Sequence, residues 1–105
     1  MSSSAFFDVY TPLGFRVRAN FAYWQIIVRA KHPVMEGRES IVQEVLRFPD
    51  EIRQSRRDSD VYLFYRAERP DRWTCVVVKR QGDDGFLITT YPTDGIKEGT
   101  AIWTK

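Results

Sequence analysis

The chain has 105 residues, 43% hydrophobic and 29% charged, which is one domain's worth of interior and too apolar a composition for disorder. No apolar run approaches the ~20 residues that span a bilayer, and the start, MSSSAFFDVY, lacks the cationic and apolar regions of a secretory leader. A formal charge of +2 predicts no nucleic-acid partner by itself, while one cysteine (Cys75) and one histidine (His32) exclude an internal disulfide, a multi-cysteine zinc site and a His-paired metal site.

Residues 5–10 and 14–19 are short β-prone runs around Thr11-Pro12-Leu13-Gly14, and this spacing predicts an N-terminal hairpin. Asn20 is a good helix cap, and Phe21, Trp24, Ile27 and Val28 recur at helical spacing. The β-branched run Ile26-Ile27-Val28 favours a strand, but the periodicity favours a helix ending before Pro33. Residues 36–48 predict a second helix with the apolar stripe Ile41, Val42, Val45, Leu46 and Phe48, stopped by Pro49. The polar run 51–60 reads as a turn-rich connection anchored by Ile52.

Three β-branched, aromatic runs follow, 61–66, 73–80 and 85–92, separated by turn residues as in an antiparallel meander, and a short last strand ends at Ile102 and Trp103. The expected fold class is α+β. It has the N-terminal hairpin and two helices packed on one face of a three- to four-stranded antiparallel β-meander, all in a single domain over residues 1–105.

Dinucleotide, P-loop, HExxH, EF-hand and CxxC patterns are all missing, so no cofactor and no metal are expected. His32 can exchange a proton near neutrality or simply cap a helix C-terminus. Arg53, Arg56 and Arg57 can bind phosphate, or pair with Asp50, Glu51, Asp58 and Asp60 beside them. Arg66, Arg69, Arg72, Lys79 and Arg80 read as a solvated edge. In ITTYPTDGIK, alternation places Leu87, Thr89 and Tyr91 on one face of a strand and Phe86, Ile88 and Thr90 on the other. Thr89, Tyr91 and the following Lys97 can hold a phosphate, or serve as ordinary strand and loop residues. Cys75, inside TCVVV, reads as a buried structural thiol.

The order YW..IV..KHPVM, a helix, PDEIRQSRRD, VYLFYR, VVVK, GFLITTYPT and IK resembles small prophage-type and bacterial domains. These belong to the barnase–EndoU–colicin–RelE-like (BECR) nuclease superfamily, and the likeness runs from about Tyr23 to Ile102. KHPVM and ITTYPT are its most specific pieces; related sequences often read TAY where this one reads TTY. The resemblance implies a metal-independent endoribonuclease, toxin-like or prophage-derived, that uses the RNA 2′-hydroxyl as nucleophile. It assigns catalytic positions to His32, Arg56, Thr89 and Tyr91, with Lys97 the less secure match. Arg53 and Arg57 join Lys97 as substrate-binding candidates on their charge and position. The single cysteine and the start without a leader pattern predict a reducing cytoplasm, and the lack of a long apolar run predicts no membrane. The resemblance adds RNA as partner and an antitoxin or immunity protein as a further one. A non-catalytic RNA- or protein-binding module on the same fold is the alternative.

Overall fold

The computed structural model describes residues 6–105, so residue 5, which opens the first predicted strand, lies outside the described residues. Strands β1 (Phe7–Tyr10) and β2 (Arg16–Ala19) form the expected hairpin, with Phe7, Val9, Val17 and Ala19 alternating inward. Its turn closes where the Gly14 N–H donates to the Thr11 carbonyl at 3.0 Å, and Gly14 takes φ 86°, which a side chain would resist. The hairpin does not lie over the sheet, as the sequence predicts, but extends it. β2 runs parallel to β6 (Asp84–Thr93), with Arg16–Arg18 paired to Asp84–Phe86.

The sheet therefore has seven strands, not three or four, in the order β1-β2-β6-β5-β4-β3-β7. The meander supplies β4 (Val61–Arg69), β5 (Arg72–Gln81) and β6, within one residue of the expected starts. The predicted turn-rich connection contains β3 (Glu51–Gln54), a four-residue strand held between β4 and β7 (Thr100–Thr104). Ile52 is its one fully buried residue, so the strand shows almost no apolar signal.

Helix α1 (Phe21–Ile26) starts where the Asn20 side chain accepts the Tyr23 N–H at 2.7 Å. It continues as a π-helical turn over Ile27–Lys31, closed by the His32 N–H to the Ile27 carbonyl at 2.8 Å, and then as a 3-10 turn over Pro33–Met35. The β-branched run that argues for a strand coincides with this widening. Helix α2 (Glu39–Arg47) is shorter than expected at both ends. Phe21 and Phe48, predicted members of the two apolar faces, are 57% and 60% exposed.

Both helices cover one sheet face. Trp24, Ile27, Val28, Met35, Val42, Val45 and Leu46 pack there against Val17, Ile52, Phe64, Val76, Val78 and Leu87. Each such buried side chain contributes roughly 1.5–3 kcal/mol relative to exposure, so this face fixes the fold. The opposite face carries only a small cluster, with Leu63, Tyr65 and Cys75 buried and Trp73, Val77, Tyr91 and Ile96 partly covering them. Among the described residues, no helix is long and apolar enough to cross a membrane.

Candidate functional site

Strand register determines what the helix-free face presents. Arg53 of β3 is opposite Leu63 of β4, Leu63 opposite Val77 of β5, and Val77 opposite Thr89 of β6. The next row on the same face runs Glu51, Tyr65, Cys75, Tyr91. Residues Arg53 and Thr89 are thus three strand spacings apart, about 14 Å. Two sequence candidates, Thr89 and Tyr91, do share a face. Leu87 does not share it: a bulge at Ile88 pairs Val78 with Leu87, which returns Leu87 to the core face with Thr90. One extra residue reverses the alternation that simple counting assumes.

The bulge also receives the first helix. The Tyr23 hydroxyl donates to the Ile88 carbonyl at 2.7 Å, and Lys31 Nζ approaches the same oxygen at 3.5 Å. β2 pairs only with the start of β6, so this contact fastens the helix to the rest of that edge. It brings His32 over the edge, where its ring lies against Tyr91 with centroids 5.4 Å apart and planes tilted by 40°. Histidine and tyrosine from the two most specific sequence pieces therefore meet.

Around them is a cleft of about 420 Å3 lined by His32, Ser55, Val61, Leu63, Val77, Thr89, Tyr91 and Glu98. The Thr89 hydroxyl is buried there and makes no hydrogen bond to a described residue. Burial raises the Tyr91 pKa, and Cys75 beside it adds to the effect, so the phenol stays protonated and keeps its O–H as a donor. Cys75 itself is fully buried, and its thiol is pushed up to about 12 by desolvation, which leaves it inert as a nucleophile.

A second cleft of about 350 Å3 adjoins the first through Ser55, Leu63 and Glu98, and adds Arg56, Arg57, Lys97 and Gly99. Here the arginine run divides. Arg53 is committed to structure: it pairs with Glu51 at 2.6 Å and donates to the carbonyls of Glu98 at 2.7 Å and Gly99 at 2.9 Å. Two further nearby acids are engaged elsewhere, Asp58 with Lys79 at 3.0 Å and Asp50 with Lys105 at 2.9 Å. Arg56 is left with the Thr100 hydroxyl at 3.4 Å, and neither it nor Arg57 pairs with an acid among the described residues. Lys97 meets Asp94 at 3.3 Å, with both side chains about three-quarters exposed, a pairing that water screens and a ligand can displace.

Six of the seven candidates, His32, Arg56, Arg57, Thr89, Tyr91 and Lys97, thus line two joined clefts, while Arg53 holds their wall. Glu98 and Ser55 line both clefts and carry no sequence signal, since each is a lone polar residue in a turn-rich stretch. Gly99, at φ 79°, lets the Glu98 segment approach β3, because a Cβ there would meet the Gln54 carbonyl oxygen at 2.6 Å. Among the described residues, no group of three His, Cys, Asp or Glu side chains is placed to hold a metal ion. No protein-family model, curated protein or solved structure matches the chain.

Proposed function

We propose that this protein is a metal-independent endoribonuclease of the BECR type, with its active site in the two joined clefts. The observation that carries the reading is the meeting of His32 with Tyr91 and Thr89 beside a cleft lined by Arg56, Arg57 and Lys97. A proton-transfer group next to two arginines that pair with no acid among the described residues and a lysine held only by an exposed contact suits a phosphodiester that carries its own nucleophile.

In this reading the RNA 2′-oxygen attacks the adjacent phosphorus and loses its proton to a base. The P–O5′ bond breaks, the 5′-oxygen leaves with a proton from an acid, and a 2′,3′-cyclic phosphate remains. His32 is one of the two proton-transfer groups. Glu98, the carboxylate that lines both clefts, supplies the other and removes the need for a second histidine. Arg56 and Lys97 offset the charge that grows on the phosphoryl oxygens, and the Thr89 and Tyr91 hydroxyls donate to those oxygens.

The test is incubation of the folded protein with single-stranded RNA in EDTA. The expected products carry 2′,3′-cyclic or 3′-phosphate ends, while DNA of the same sequence survives. Intact RNA across pH 5–9 overturns the catalytic reading; salt-sensitive RNA binding in the same samples points to the non-catalytic module instead.

A further inference from the structure

Beyond these clefts, a smaller one of about 110 Å3 opens on the helix side of the β6 edge, lined by Val34, Met35, Arg38, Glu68, Arg69, Arg72 and Pro92. It sits within one or two residues of both rings of the candidate site, since Val34 follows His32-Pro33 and Pro92 follows Tyr91. Two residues span at most ~7 Å of chain, so lining residues of the two clefts are close neighbours across the edge.

Its charge is one-sided. Three guanidiniums face one carboxylate, and that carboxylate is occupied: Glu68 accepts from Arg38 with one oxygen and from the buried Thr74 hydroxyl with the other. Those bonds and the neighbouring arginines hold Glu68 below the usual carboxylate range despite the desolvation that opposes them. Arg69 and Arg72 pair with no acid among the described residues. They are presented by the tight turn Pro70-Asp71, where Asp71 takes φ 61° and Arg69 stands directly opposite Arg72. Beside these cations the cleft is lined by Pro92 and by Val34, which is 59% exposed. Val34 and Pro92 suit the sugar of a nucleotide, and the two guanidiniums suit its phosphate.

We infer that this cleft is a second phosphodiester subsite, in which Arg69 and Arg72 hold a backbone phosphate flanking the one bound in the two joined clefts. The inference rests on the proposed RNA reading and deepens it. The substrate is a single strand of several nucleotides that crosses the β6 edge between two basic clefts. A dinucleotide reaches only the first of them.

The probes are pools of random-sequence dinucleotides and octanucleotides with 2′-O-methyl groups, which cannot be cleaved by 2′-oxygen attack, and binding is followed by fluorescence anisotropy. The double variant R69A/R72A is expected to bind the octanucleotide about tenfold more weakly and the dinucleotide as the wild type does. The slope of log affinity against log salt is expected to fall by about 0.7 for each phosphate no longer neutralised, and R69K/R72K to restore most of it. Unchanged octanucleotide affinity and slope in R69A/R72A overturn the inference, as does an equal loss for both lengths. Absence of octanucleotide binding by the wild type also overturns it. Length-dependent binding through these arginines without cleavage of unmodified RNA supports the subsite and removes only the catalytic reading.

Discussion

The rings of His32 and Tyr91 lie in contact, centroids 5.4 Å apart, and join the end of the first helix to the strand that carries Thr89. The contact exists because the Tyr23 hydroxyl anchors that helix to the carbonyl of the bulged residue Ile88. His32→Ala is expected to lower RNA cleavage by about 100-fold or more with little change in thermal midpoint, since the ring is only partly buried. Tyr91→Phe keeps the stacking and removes the donor. Activity measured beside near-ultraviolet circular dichroism separates the two roles, and an active His32→Ala protein rejects the assignment.

Arg53 and Gly99 together position Glu98. Gly99→Ala forces a Cβ against the Gln54 carbonyl oxygen and strains a left-handed backbone, so urea unfolding is expected to register a loss of about 1–3 kcal/mol. Arg53→Met keeps much of the side-chain bulk but frees two carbonyls from their donor. Cleavage is expected to fall in Arg53→Met with RNA affinity retained, because the cations of the neighbouring cleft are untouched.

Asp50 controls part of the acid limb of stability. Burial opposes its ionisation, but the Ala67 N–H and Lys105 outweigh that and lower its pKa below 3.8, the ordinary aspartate value. A depressed carboxylate pKa favours the folded state above the ordinary value, and the gain disappears as pH falls through the lowered one. Urea midpoints of the wild type are therefore expected to fall as pH drops below about 4. Asp50→Asn is expected to be less stable at neutral pH and to lose less on acidification.

Cys75, Tyr65 and Tyr91 act at the opposite limb. Burial raises all three pKa values, the thiol to about 12. A raised value means stability that is complete below the unfolded-state pKa and is lost as pH rises past it. Unfolding is expected to begin above about pH 9, the range in which a free thiol and then a phenol ionise. At pH 8 the thiol is expected to resist a disulfide reagent in the native protein and to react at once in urea.

The meander, the capped first helix and the second helix are legible in the sequence because each carries its own periodicity over several residues. β3 is not, because Glu51, Arg53 and Gln54 are polar and only Ile52 faces the core. The hairpin's attachment to β6 is equally hidden, since a three-residue parallel pairing leaves no local pattern. For the site, His32, Thr89 and Tyr91 announce themselves by residue type within specific motifs. Arg53 shares its composition with Arg56 and Arg57, and only the carbonyls above it separate a strut from a ligand-facing cation. Leu87 changes face through one bulged neighbour, which no counting rule anticipates.

β7 pairs only with β3, although some forty-five residues of chain lie between them. Closing a span of that length costs entropy before any contact repays it. The meander hairpins are local and zip early. Lys97 and Glu98 precede β7 directly, so on the proposed reading the groups they bring to the clefts would be placed late, with this long-range pairing. The β4–β5 hairpin that carries Arg69 and Arg72 is local in sequence, so on the proposed reading the arginine pair would form before the proton-transfer groups assemble.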